Sequence, residues 1–194
     1  MQKRIFIVYG WGGHPGEGWF PWLKQELEAR GFRVFIPKLP DAENPHKEHW
    51  VPALAQVVGI PDAQTYFVGH SMGCQTIARY LTSLPSEARV GGAVFVAGFF
   101  KKLTNLETDE DTQTIVKSWL DCPIDFADVA SHLPKSIAIF SDTDPYVPME
   151  NQDDFRDHLG SKIIIEHAKG HFSGSLDKAF EVPVILESVL EIAT

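Results

Sequence analysis

Apolar positions along this chain follow two alternating patterns. Short, unbroken runs of β-branched and aromatic residues read as strands at residues 4–9, 32–36, 65–68, 92–97, 136–141 and 162–166. Between them lie longer amphipathic stretches, which predict helices at 19–30, 47–58, 72–84, 149–159 and 176–192. In the first of these, Trp22, Leu23 and Leu27 share a face, and Gly31 supplies a C-cap. Apolar strands separated by crossovers predict an α/β protein, with a parallel sheet covered by helices on both faces. Ligands then bind beyond the carboxyl ends of the strands, so chemistry is sought in the loops that follow them. One segment, 99–135, resists the pattern. It carries Phe99, Phe100, Trp119 and Phe126 beside acidic Glu107 and Asp109 to Asp111, and it reads either as a lid or pocket wall, or as a short helix at 111–119 packed on the sheet.

Composition narrows the field. The chain has 194 residues, 44% of them hydrophobic and 22% charged, which excludes collagen-like, disordered and coiled-coil classes and suits one domain over 1–194 with a real core. The 17 basic and 26 acidic side chains leave a net charge of −9, a poor match for nucleic acid or an anionic membrane. Two cysteines, Cys74 and Cys122, fit a reducing compartment better than a disulfide scaffold. The run Ile5-Phe6-Ile7-Val8 after Lys3 and Arg4 is broken by Gly10, Gly12 and Gly13, too early for a signal peptide. The run at 93–100 is too short for a membrane span. A cytoplasmic protein, monomeric or weakly dimeric, is expected.

Candidate chemistry clusters after the strands. Gly69-His70-Ser71-Met72-Gly73 lies between a strand and a helix, as a nucleophile elbow does. Its sharp turn exposes the serine hydroxyl at the amino end of a helix, where the Met72 N–H can donate to an oxyanion. A serine nucleophile needs a base and an orienting carboxylate, and Asp144 and His171 follow later strands in the order of the α/β-hydrolases. Each has a rival. Asp142 competes with Asp144, which is preferred because Pro145 fixes its exit from the turn; His167 competes with His171, which alone has a glycine before it. His70 reads as a hydrogen-bonded packing residue. The glycine-rich segment after the first strand, Tyr9-Gly10-Trp11-Gly12-Gly13, offers the second oxyanion donor, from Trp11 or else from Gly12. A dinucleotide loop is disfavoured there, because the spacing of Gly10, Gly12 and Gly16 is wrong and Trp11 and Pro15 obstruct it. The other histidines have no metal-ligand spacing, and neither metal nor cofactor is expected.

These motifs, with Ser-Asp-Thr-Asp-Pro-Tyr-Val-Pro at 141–148 and Gly-His-Phe at 170–172, resemble the small serine hydrolases of the retinoblastoma-binding protein 9 and YdeN family. The resemblance spans essentially the whole chain. It implies a three-layer α/β/α sandwich, a reduced α/β-hydrolase fold of about six parallel strands in the order 2-1-3-4-5-6 without a large cap domain. It also implies a Ser71, Asp144 and His171 triad and no cofactor. One family trait is missing: an L-x-C-x-E motif would support binding of retinoblastoma protein, but this chain reads Leu120-Asp121-Cys122-Pro123-Ile124, without the glutamate.

The sequence thus points to a serine hydrolase acting through an acyl-enzyme on small or short-acyl esters, with the N–H groups of Trp11 and Met72 as oxyanion hole. Gly12, Phe99, Phe100, Trp119 and Phe172 are expected to line an open, shallow pocket. Two other readings share these residues: a binding protein on a hydrolase scaffold, and an acyltransferase or thioesterase with the same triad.

Overall fold

In the computed structural model, which describes residues 2–194, the apolar runs build one parallel sheet. Its strands are β1 (Arg4–Val8), β2 (Arg33–Phe35), β3 (Thr65–His70), β4 (Gly92–Val96), β5 (Ser136–Ser141) and β6 (Lys162–Glu166), in the order β2-β1-β3-β4-β5-β6. This is the reduced α/β-hydrolase arrangement. The register pairs Val8 with Gly69, His70 with Val96 and Ser141 with Glu166, so the carboxyl ends of five strands come out along one rim. The four inner strands are buried on both faces, apart from Arg4 at the start of β1, which is why they read as continuous apolar runs rather than alternating ones. β2 and β6, at the two edges, are partly exposed.

Helices cover both faces. α1 (Phe20–Glu28) packs on α8 (Pro183–Ile192), which lies on β4 and β5; α2 (Lys47–Val58), α3 (Met72–Leu81), α5 (Phe126–His132) and α6 (Gln152–Leu159) form the opposite layer. Local chemistry starts several of them. Proline occupies the first turn of α1 and of α8, where its missing N–H costs nothing. Pro183 also corrects the expected helix at 176–192. A helix running through it would lose a hydrogen bond and clash, so the chain makes a short α7 (Gly174–Asp177), turns at Lys178 in the left-handed region, and restarts at Pro183.

The segment 99–135 contains two helices. α4 (Glu110–Leu120) is capped by Asp109, whose carboxylate accepts the Thr112 N–H, and α5 is capped in the same way by Asp125. The acidic patch is therefore a helix start, favoured there by capping and by the helix dipole. α4 is tied down at its far end. Trp119 is fully buried with its ring edge-on to Trp50, and its indole N–H donates to the Pro45 carbonyl at 2.9 Å. Arg79 of α3 donates to the carbonyls of Trp119 and Cys122 at 2.6 and 2.8 Å. Trp119 is thus a core residue and not the pocket residue expected. Trp119→Ala should cost about 3–5 kcal/mol in chemical denaturation, the usual loss on truncating a buried aromatic; a loss below about 1 kcal/mol would contradict this placement.

Candidate active site

The turn after β3 is as sharp as the motif demands. Ser71 has φ 52° and ψ −120°, a conformation that a residue with a Cβ adopts only under constraint. Close packing supplies it. A Cβ on Gly73 would overlap the Val8 carbonyl oxygen, and one on Gly69 would lie 2.8 Å from Ile77 Cδ1, so both glycines let α3 sit directly on the sheet. The Ser71 N–H is fastened to the Val96 carbonyl at 2.9 Å. Cys74, on the next turn, is buried, and burial pushes its thiol pKa upward, which leaves it inert.

The two carboxylate–histidine alternatives sort themselves into separate pairs. His171 donates from Nδ1 to Asp144 Oδ2 at 2.8 Å, and this pair is largely shielded, its side chains 12% and 2% exposed. The rivals pair with each other at the surface: His167 Nδ1 donates to Asp142 Oδ2 at 2.6 Å, with side chains 84% and 41% exposed. The other oxygen of Asp144 accepts the N–H groups of Tyr146 and Val147 at 2.8 and 3.0 Å, so both carboxylate oxygens are directed.

The loop after β6 is laced to the loop after β5. Asp142 Oδ1 accepts the Ala168 N–H at 2.9 Å, Ser141 Oγ that of Lys169 at 3.1 Å, and Thr143 Oγ1 that of Gly170 at 3.2 Å. The side chains of 141–144 thereby hold residues 167–171 between them. A second lacing binds the loop after β4. Buried Asn151 accepts the N–H groups of Phe100, Lys101 and Lys102 within 3.3–3.4 Å, and Thr104 bonds the carbonyls of Tyr146 and Pro145.

Ser71 and His171 line one cavity of about 270 Å³, together with Gly10, Trp11, Met72, Phe99, Leu103, Leu106, Tyr146 and Leu176, among others. Among the described residues no hydrogen bond joins the Ser71 hydroxyl to His171; such contacts often tighten only when substrate binds. The backbone N–H groups of Trp11 and Met72 have no acceptor among the described residues. Gly12, the other candidate donor, is already engaged: its N–H donates to the Ala42 carbonyl at 2.8 Å.

Of the expected pocket residues only Phe99 lines this cavity. Gly12 lies outside it, turned toward the Glu43 carboxylate. Phe100 packs on Phe126 and Phe155, with ring centroids 5.1 and 4.6 Å away. Phe172 is buried, with its carbonyl accepting the Trp19 indole N–H at 3.1 Å. Trp119 is committed to the core. Leu103, Leu106, Tyr146 and Leu176 take their places. Tyr146 was within reach of sequence reasoning, two residues beyond Asp144; the leucines sit in irregular segments where no periodicity marks them.

His70 closes the cavity floor. Its Nε2 lies 2.8 Å from the His171 carbonyl, which can only accept, so His70 carries its proton on Nε2. Burial and then the neighbouring His171 imidazole push its pKa down to about 3, which keeps it neutral. Among the described residues no group of three or more His, Cys, Asp or Glu side chains is arranged to hold a metal ion.

Residues 5–181 match the model of the serine hydrolase family. The chain is 30% identical to YdeN of Bacillus subtilis over 173 residues, 89% of this chain and 87% of YdeN. It is 24% identical to the serine hydrolase RBBP9 of Rattus norvegicus over 175 residues, 89% and 88% of the two chains. The crystal structure of the B. subtilis ydeN product superposes with a TM-score of 0.89 over 98% of both chains, at 26% identity.

Two titrations test the electrostatics. The hydrogen bond to Asp142 holds the His167 pKa above its ordinary 6.5, and that same bond, with the Ala168 N–H, holds Asp142 below 3.8. His167's share of any stabilisation is therefore present below about pH 6.5 and fades as pH rises through the raised value, while Asp142's fades as pH falls through its lowered one. In an NMR titration Asp142→Asn should return His167 toward 6.5, while His70 stays unprotonated from about pH 8 to 5 in both proteins. An unchanged His167 midpoint, or a His70 that titrates in that window, would contradict the assignment.

Proposed function

This chain belongs to the serine hydrolase family, and from that premise we propose that it is a carboxylesterase-like enzyme working through an acyl-enzyme on Ser71. The observation that carries the reading is the shielded His171–Asp144 pair, 2.8 Å apart, opening into the cavity that Ser71 lines. Ser71 Oγ attacks the ester carbonyl while His171 Nε2 takes its proton. The tetrahedral oxyanion is held by the N–H groups of Trp11 and Met72, and its collapse expels the alcohol, protonated by His171. Water then enters, is deprotonated by His171 and attacks the acyl carbonyl; the Ser71 Oγ–acyl bond breaks as His171 returns the proton to Ser71 Oγ, and the acid is released. Asp144 fixes the imidazole tautomer that leaves Nε2 free. Fixed donors aimed at the oxyanion are typically worth about 10²–10³ in turnover each.

The size of the substrate follows from the cavity. About 270 Å³, walled by Phe99, Leu103, Leu106 and Leu176, suits a short acyl chain or a small alcohol better than a long lipid. Leu176 is 67% exposed, which makes the wall on that side low. The expected outcome is hydrolysis of p-nitrophenyl esters that weakens as the acyl chain lengthens.

Replacing Ser71 with alanine should lower turnover by about 10⁴–10⁶-fold and abolish labelling by a fluorophosphonate probe. Full activity in Ser71→Ala would refute the mechanism.

A further inference from the structure

A third carboxylate, besides Asp142 and Asp144, grips the histidine loop. Asp177, at the end of α7, accepts three hydrogen bonds on one oxygen: the His171 N–H at 2.9 Å, the Ser173 N–H at 2.9 Å and the Ser173 hydroxyl at 3.0 Å. Its other oxygen occupies the space that a Cβ on Gly170 would take. Every polar group of His171 that does not face the cavity is thereby engaged. The N–H is bonded to Asp177, the carbonyl to His70 and the ring Nδ1 to Asp144.

The backbone around His171 needs such restraint. Ala168, Gly170 and Phe172 have φ values of 55°, 54° and 57°, so alternate residues lie in the left-handed region. For Ala168 and Phe172 the Cβ disfavours that region. Such conformations persist only where neighbouring contacts over-determine them. Ser141, Asp142 and Thr143 do this for residues 168–170. They stop one residue short of His171. From there Asp177 takes over, at His171 itself and at Ser173.

We propose that Asp177 is a positioning residue for the reaction: it holds the peptide N–H of His171, and so fixes where the imidazole stands between Asp144 and Ser71. This rests on the reading of His171 as the base. Misplacing a catalytic group by about 1 Å can cost roughly 10²-fold in rate. Truncation of Asp177 should therefore act on turnover far more than on substrate binding.

Three variants of the full chain test this: Asp177→Ala, Asp177→Asn and Gly170→Ala. Each is followed by p-nitrophenyl ester kinetics and by the low-field proton resonance of the His171 Nδ1–H bonded to Asp144. Asp177→Ala is expected to lower kcat by about 10–100-fold, in line with the cost of such misplacement, with KM little changed, and to broaden or lose the low-field resonance. Asp177→Asn keeps an acceptor oxygen of the same reach and should recover much of both. Gly170→Ala displaces the carboxylate but also puts a Cβ at φ 54°, so a loss there follows from either cause, whereas retention of wild-type kcat and resonance is decisive and serves if Asp177→Ala does not fold. An Asp177→Ala or, failing that, Gly170→Ala protein with wild-type kcat and an intact resonance overturns the proposal, even if its melting temperature has dropped. Absence of the resonance from the wild-type protein also overturns it, since no Asp144–His171 pair would be there to hold. If the wild type hydrolyses no ester but the resonance disappears in the variants, the esterase reading fails and the positioning role stands.

Discussion

The site depends on how closely the helix after β3 can approach the sheet. At Gly73 the backbone of α3 lies against the Val8 carbonyl with no room for a Cβ, and at Gly69 the backbone of β3 lies against Ile77 and Cys74 of α3. That approach forces the turn between them, so Ser71 adopts a positive φ and stands out from the rim. It also brings the first turn of α3 beside the loop that follows β1. The unpaired N–H groups of Met72 and Trp11 become neighbours of the serine for the same reason. A helix that packs at the usual side-chain distance could not present its first residue in this way.

The rest of the rim is held by hydrogen bonds between side chains and backbone, within a turn or from one loop to another. Asp144 is directed by its own turn, through Tyr146 and Val147. His171 hangs in a loop whose N–H groups are taken up by Ser141, Asp142 and Thr143 from β5 and its turn. The pocket wall at Leu103 and Leu106 is fixed through Asn151 and Thr104. Charge-assisted and neutral hydrogen bonds of this sort contribute about 0.5–3 kcal/mol each. Their larger effect is geometric, since a base displaced from its nucleophile loses rate steeply. The fold supplies the rim and polar side chains set the positions along it.

The sheet was legible from apolar runs because inner strands of a parallel sheet are buried on both faces, and Ser71 was legible because its turn demands glycine at fixed offsets. The distinction between Asp144 and Asp142, and between His171 and His167, came from Pro145 and Gly170, local features that correlate with the shielded pair. Pocket residues were harder. Phe100, Trp119 and Phe172 have the size and polarity of pocket residues, but the same properties suit a core, and only tertiary packing decides between them. Leu103 and Leu106 lie in a segment without periodicity, held in place by hydrogen bonds to a distant turn, so nothing local marks them. The helix expected over 176–192 is broken at Lys178, which lies in the left-handed region, and restarts at Pro183, although the apolar pattern runs on.

The proposed mechanism turns on a covalent step: an ester's acyl group comes to rest on Ser71. Intact-protein mass spectrometry during turnover of an activated short-chain ester, with fragmentation to locate the added mass, tests that step most directly. The mechanism requires one acyl group per chain, transient, on the peptide carrying Ser71. Turnover without any adduct, or an adduct that builds and decays on another residue, would contradict it.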